Sequence, residues 1–515
     1  MSAAVRARRE HVQARLLWVC AAGLLSLGIT VLPFAETGSW ASLALGRVIT
    51  AHGMPTTEPF SYLAAIQPWV AAGWLRAVLI AALVGTGGAT LASIVLGLAT
   101  SGGLVLAALS VRPSARVPAA WQAAGVLAGA LVVRSFLAGG VPIMVLGAGA
   151  VLYVLARARE GNSRLAWLLP PIFLVWANLD GSFITGLVIV LVVWAAEGRR
   201  DAEFRRALLW ATAASAVAAV INPAGIGLYQ WVLATAGGPA TAQLSTTFSS
   251  PDFHGGWLRL FEAVAALLVI SWVAGGGATR LDAILGIAAI GLALWSQQFV
   301  PLFAVIATPQ LSTYGSRASA RAVPHLPQMR APAAVRDLGA AVGRLGRPVL
   351  TGAALAATAV AAVAAMTVEA GAHAAATAES SRFPQAAATR VAASFPGQRL
   401  YAPSTWGDYL TERFPTGRVV FIYGPSGGFT TSSVTAYATI HFLDPGWEAV
   451  VRTEGIRIAI VEDRSQEAGA LHELGWAADC FDASSGALVM TAPGSGAPST
   501  PSSPLTVPPS GVLAC

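Results

Sequence analysis

The sequence contains no lysine; its 32 basic residues are all arginine. Alanine and glycine are abundant as well, so this reads as composition bias rather than selection for the bidentate grip of guanidinium on anions. Charge of either sign is scarce, at 11% of 515 residues, against about 25% in ordinary soluble domains. With 55% hydrophobic residues, a water-soluble globule of this size could not hide its apolar surface. What remains is an α-helical polytopic membrane protein, because apolar segments approaching about 20 residues recur and only helices and closed barrels satisfy their backbone in lipid. Only three cysteines are present, and Cys20, Cys480 and Cys515 form neither a metal spacing nor a disulfide framework. Cys20 lies in the first apolar run and reads as a small core residue. Cys480 and Cys515 can pair only where both face an oxidising side.

The arginines set the topology. Residues 1–15, MSAAVRARREHVQAR, form a basic cytoplasmic N-terminus. The apolar run 16–34 lacks an A-x-A cleavage site and is read as a retained first span. Further arginines cluster at Arg112/Arg116, Arg157/Arg159/Arg164, Arg199/Arg200/Arg205/Arg206 and from Arg317 to Arg347. All fall on the cytoplasmic side if the remaining spans are 88–110, 118–134, 140–156, 165–178, 183–197, 207–221, 258–275, 281–296, 299–312 and 349–367. That gives about 11 spans, with the N-terminus inside and the C-terminus outside. It requires 72–86 and 226–237 to lie in the interface rather than cross. The net charge of +7 is then topological, and no nucleic-acid partner is expected.

The domain order follows. A transmembrane domain over 16–312, with an outer loop at 35–87, precedes an Arg/Pro-rich cytoplasmic loop at 313–348 and a last helix at 349–367. Residues 380–492 shift to a mixed composition and read as a small extracytoplasmic α/β domain. RLYAP, RVVFIY and IRIAIVED are expected as strands, TWGDYLTERF, DPGWEAVVRTEG and SQEAGALHELG as helices, and CFDASSGALVMTA as a closing hairpin. Residues 493–515 form a Pro/Ser-rich tail expected to be disordered. This topology gathers Glu36, His52, Glu58, Arg134, Asn178, Asp180, Asn222, Asp252, His254 and Gln298 at the outer surface. Trp40, Trp69, Trp74 and Trp257 cluster there as an interfacial belt.

Several of these pieces, in order, resemble a family of bacterial membrane proteins related to the GT-C glycosyltransferases. They are ETGSWASLALGRVI, GMPTTEPFSY and WVAAGWL in the outer loop, then RSF at 134–136, WANLDGSFITG at 176–186 and NPAG at 222–225. SPDF at 250–253, QFVPLFA at 298–304 and WGDYL at 406–410 follow, the last against the family's W-G-G-Y-L. The resemblance implies a GT-C-like fold in the bacterial plasma membrane. It also implies transfer of a sugar from a polyprenyl-phosphate donor to an envelope glycan, lipid or protein acceptor on the outer face.

Glu36 matches the family's carboxylate that accepts the proton of the attacking hydroxyl; otherwise it is a solvated residue at a helix exit. Arg134 suits the donor phosphate by its planar donor fork, or anchors a helix end by snorkelling. Glu58 either holds its loop or contacts substrate. Asp180 is a catalytic candidate or the N-cap of the helix over 183–197. Asn178, Asn222, Asp252, His254 and Gln298 complete the candidate substrate-binding and phosphate-binding set. A divalent cation would draw on Glu36, Asp180 and Asp252, without a compact D-x-D motif to support it.

The chain departs from the family at charged positions. Gly38 stands for Asp, Ser42 for His, Ala72-Gly73 for His-Glu, Asp180 for His, Gln298 for Arg, and Tyr423-Gly424-Pro425 for D-G-R. Acids and bases are thinned while packing residues remain. The alternative reading is therefore a catalytically inactive relative that binds or assembles within cell-envelope glycan synthesis. A transporter is disfavoured, since no inverted repeat is present.

Overall fold

The computed structural model describes residues 3–63, 69–70, 72–111, 117–134, 136–137, 139–197, 202–235, 249–254, 258–322, 379–424, 429–494 and 512–515. The expected last transmembrane helix at 349–367, Trp257 and most of the Pro/Ser tail lie outside these residues. The helices begin with α1 Ala3–Thr30, α2 Trp40–His52, α3 Trp74–Leu109, α4 Ala119–Arg134 and α5 Val141–Ala158. They continue with α6 Leu169–Leu179, α7 Phe183–Glu197, α8 Ala202–Ala218, α9 Gly227–Thr235, α10 Leu258–Ala274, α11 Arg280–Trp295 and α12 Val300–Ala322. The C-terminal portion adds α13 Gln385–Ser394, α14 Ser404–Arg413, α15 Thr431–His441, α16 Trp447–Thr453 and α17 Gln466–Glu473. Among the described residues, two helices, Trp74–Leu109 and Val141–Ala158, are long and apolar enough to cross a membrane.

The chain forms two compact units. The helical unit comprises Met1–Leu32, Ser93–Asn222 and Ser250–Gly371. The mixed unit comprises Pro33–Ala92, Pro223–Ser249 and Ala372–Cys515. The outer loop thus clusters with the C-terminal α/β portion, where the sequence had placed it in the transmembrane domain.

In the helical unit, small residues let backbones approach. Gly125 and Gly129, four apart on α4, face Thr308 and Ser312 on α12, and a Cβ on either glycine would run into those side chains. Thr308 Oγ1 donates to the Gly125 carbonyl at 3.3 Å. Such small-residue seams are how helices associate in lipid, where apolar burial gives no drive. The WANLDGSFITG stretch forms the α6–α7 turn. Trp176, 2% exposed, packs its ring where a Cβ would sit on Gly147 of α5 and on Gly186 of α7. Its Nε1 donates to Ser182 Oγ at 3.1 Å, and the ring stacks on Phe173.

The mixed unit carries a five-stranded sheet of β1 Leu400–Tyr401, β2 Ile458–Glu462, β3 Ala477–Asp482, β4 Ala487–Thr491 and β5 Leu513–Ala514. The order is β1-β2-β4-β3-β5, with β1–β2 and β3–β5 parallel and the β2–β4 and β3–β4 pairs antiparallel. Alternate residues of β2 face opposite sides, so Ile458 and Ile460 enter one apolar cluster and Ala459 and Val461 the other.

Some expectations change. Residues 418–423 do not form a full strand; Val420 makes single parallel bridges to Leu400 and to Ser61 of the outer loop. The segments 72–86 and 88–110 are one helix, α3, interrupted at Gly87 and Gly88, and Gly88 takes φ +70, which favours glycine. The loop expected from 313 remains helical to Ala322. The tail expected to be disordered over 493–515 ends in β5, which Cys515 fastens to Cys480 of β3 through a disulfide. Cys20 is exposed on α1 rather than buried, because the apolar run surrounds the helix instead of following one face.

Gly186→Leu forces the α6–α7 clasp open against the Trp176 ring, an overpacking worth about 1–3 kcal/mol. Thermal unfolding of the purified protein in detergent should show a lowered midpoint, while Gly227→Leu, whose Cβ meets open space, should leave it unchanged. Equal midpoints for the two variants would contradict the clasp.

Candidate functional site

In the mixed unit, the outer loop is fixed by one buried acid. Glu58, 1% exposed, accepts hydrogen bonds from its own loop, from Phe60 N at 2.9 Å and Ser61 N at 3.3 Å. Tyr423 OH, 365 residues away, donates to the same carboxyl at 2.7 Å. Burial raises the Glu58 pKa, while these hydrogen bonds and the Arg418 charge pull it down. Arg418 Nη2 also donates to Thr57 Oγ1 at 2.8 Å. Ser61 Oγ donates to the Phe421 carbonyl at 2.6 Å, and the rings of Phe60 and Tyr423 meet edge to face. The Glu58 carboxyl is thus enclosed by its own loop and by Tyr423.

Glu36 is differently placed. It ends a short 3-10 turn, Phe34–Glu36, between α1 and α2. Its side chain keeps 26% of its exposure, and Oε1 pairs with Arg382 Nη2 at 3.1 Å. Below it, Trp40 packs edge to face on Phe34, Phe383 and Tyr409, so the turn rests on an aromatic floor. Tyr409 OH in turn receives Arg413 Nε at 2.7 Å, and Arg413 pairs with Glu379 at 2.9 Å. Arg47 of α2 forms an ion pair with Glu412 of α14. A partly exposed carboxyl on a turn, held by one cation, can accept a proton from an incoming hydroxyl.

The WGDYL helix carries a second unusual acid. Gly407 lies so close to the Ile422 carbonyl and Tyr423 that a side chain there would collide. Asp408, where the resembling family has glycine, is half-buried; its Oδ1 is sealed from solvent and accepts no hydrogen bond. Burial pushes its pKa up to about 7, against the opposing pull of the Arg76 charge.

The helical unit holds the other candidates, and most of their polar atoms are engaged in structure. Arg134 Nη1 donates to the Ile29 carbonyl at 2.7 Å, capping the last turn of α1. Asn178 Nδ2 bridges Leu174 O at 2.8 Å and Ile221 O at 2.9 Å, tying α6 to the end of α8. Asp180 Oδ1 accepts Ser182 N at 2.9 Å. That bond makes a local Asx turn, not the N-cap expected, because α7 begins only at Phe183, three residues on. Asn222 Nδ2 donates to the Ala219 carbonyl at 2.7 Å. Asp252 accepts both the backbone N–H and ring Nδ1 of His254, at 2.9 and 2.8 Å, and these hold its pKa below the usual carboxylate range. Gln298 sits half-buried in the 3-10 turn Gln297–Phe299. Among the described residues, no group of three or more His, Cys, Asp or Glu is placed to hold a metal ion.

Arg382, Arg418, Tyr423, Asp408 and Arg76 were missed from the sequence. Only Asp408 and Tyr423 carried a signal, as departures within recognisable motifs.

No protein-family model matches the chain, and no curated protein matches it. A solved structure does: ArnT from Cupriavidus metallidurans, bound to undecaprenyl phosphate, aligns over 97% of this chain and 100% of that one. The identity is 17% and the TM-score 0.51. The chain has a GT-C-like fold. The apo oligosaccharyltransferase of Archaeoglobus fulgidus also aligns, over 87% of this chain and 69% of that one, at 12% identity and TM-score 0.49. The alignment with ArnT takes in residues of both units.

The half-buried Asp408 yields a signed pH dependence. Its folded-state pKa of about 7 exceeds the ordinary 3.8, so the folded protein holds the proton more tightly than the unfolded chain. The stability it contributes is complete below 3.8, falls as pH rises toward 7, and is gone above it. Asp408→Asn should therefore raise the thermal midpoint at pH 8 more than at pH 5. An equal effect at both values would contradict the assignment.

Proposed function

We infer that the chain is an integral membrane glycosyltransferase-like protein with about 11 spans, its N-terminus cytoplasmic and its C-terminal α/β portion outside. It transfers a sugar from a polyprenyl-phosphate donor to an envelope glycan, lipid or protein acceptor on the outer face. The observation that carries this reading is Glu36: in a chain of GT-C-like fold, an outer-loop carboxyl stays partly exposed on a turn beside Arg382. The Cys480–Cys515 disulfide supports the outward placement of the α/β portion, since such bonds persist in oxidising compartments.

In this mechanism the acceptor hydroxyl gives its proton to Glu36 while its oxygen forms the new bond to the anomeric carbon. The bond from that carbon to the phosphate oxygen breaks, and the polyprenyl phosphate leaves with the electron pair. Arg382 orients Glu36 and must yield part of its grip as the carboxyl takes up the proton. Within the helical unit Arg134 is the cation assigned to the donor phosphate.

A second reading has its own support. Asp180, Asn178 and Asp252 are committed to turns and helix ends, and Glu58 to the core of the mixed unit. That leaves few free acids and bases, as expected of a non-catalytic member that binds the lipid phosphate.

One assay separates the two. Purified protein in nanodiscs is given polyprenyl-phosphate-linked sugars, and release of undecaprenyl phosphate is followed by mass spectrometry. Turnover that falls about 100-fold in Glu36→Gln supports catalysis. Turnover unchanged in that variant removes Glu36 from the chemistry, and binding without turnover in the native chain establishes the non-catalytic reading.

A further inference from the structure

Arginines gather at one end of the helical unit, and most have structural work there. Arg157 Nη2 donates to the Leu109 carbonyl at 2.6 Å and Nη1 pairs with Glu160 at 2.6 Å. Arg321 donates to the Ala274 carbonyl at 3.3 Å, and Arg205 lies over the Trp194 ring. Beside them is a cavity of about 270 Å³, with Arg159 and Arg317 in its lining together with Ser110, Thr313 and Gln310. The rest of its wall is largely apolar, from Leu152, Leu155, Leu281, Leu285 and Ile306.

The one acid in the lining does not pair with Arg317. Asp282 gives its carboxylate to hydroxyls, accepting from Tyr314 OH at 2.6 Å and Thr279 Oγ1 at 2.7 Å. It forms no ion pair among the described residues. Arg317 stands over the Tyr314 ring, 5.1 Å from its centroid, and has no carboxylate partner among the described residues. Gln310 is held by donating to the Asp282 carbonyl at 3.0 Å, so the polar side of the cavity is built and not merely lined.

We propose that this cavity binds the phosphate headgroup of an anionic phospholipid, with Arg159 and Arg317 as its cationic clamp. The chemistry is a phosphate group carrying an apolar tail. Two guanidinium groups supply the charge-assisted donors, and the leucine wall meets the first carbons of the acyl region. The volume lies below the roughly 300–1,000 Å³ of ordinary ligand pockets, so it takes a headgroup and not a whole lipid. Basic pockets between helices on the cytoplasmic side are where anionic headgroups settle. The ends of α3 and α5 and the start of α11 that build this one fall on that side by the arginine distribution. The proposal rests on the membrane-span reading but not on Glu36, so the two fail separately.

Native mass spectrometry of the full-length protein, given equal amounts of phosphatidylglycerol and phosphatidylcholine, tests it. The native chain should retain phosphatidylglycerol in preference. Arg317→Gln and Arg159→Gln should each weaken that preference about tenfold, as expected for losing one hydrogen-bonded charge. Arg317→Lys, which keeps the charge on an exposed position, should retain most of it and controls for folding. An unchanged preference in the double glutamine variant overturns the site. Displacement of the lipid by millimolar inorganic phosphate would identify a free-anion site and overturn the lipid assignment.

Discussion

The hydrogen bond from Tyr423 to the buried carboxyl of Glu58 is the constraint on which the mixed unit depends. It joins segments 365 residues apart in the chain, and it makes the outer loop part of the C-terminal fold rather than a connection between spans. A buried carboxyl left without partners costs several kcal/mol or takes up a proton, so loop and sheet must form together. The Ser61–Val420 bridge then adds the loop to the sheet edge beside β1. The Phe34–Trp40–Tyr409 stack sets the floor beneath Glu36.

The packing logic of the helical unit accounts for which motif residues persist. Trp176 needs glycine at 147 and 186, and α4 needs glycine at 125 and 129, for reasons of space alone. Asn178 closes the carbonyl of Ile221 at the end of α8. These requirements hold with or without catalysis, which is why a chain with thinned acids and bases can keep the fold. Asp180 closes a turn through the Ser182 amide.

Much of this was legible in the sequence. Hydropathy located nearly every helix from α1 to α12, though it divided α3 into two segments. The helices α14, α16 and α17 and the β3–β4 hairpin followed from local periodicity. What escaped was long-range. Nothing local marks Ser61 as the neighbour of Val420, Tyr423 as the partner of Glu58, or Arg382 as the partner of Glu36. Residues 513–514 look like a loose tail until β3 offers them an edge, and α13 and α15 have too little charge contrast to show a face.

The central claim is that this GT-C-like chain handles a polyprenyl phosphate. The most direct measurement is equilibrium binding of undecaprenyl phosphate to the nanodisc-embedded protein carrying Arg159→Gln and Arg317→Gln together. One saturable site, retained in that double variant and weakened by Arg134→Gln, is the expected result. Binding no stronger than that of phosphatidylglycerol, or binding indifferent to Arg134, would contradict it.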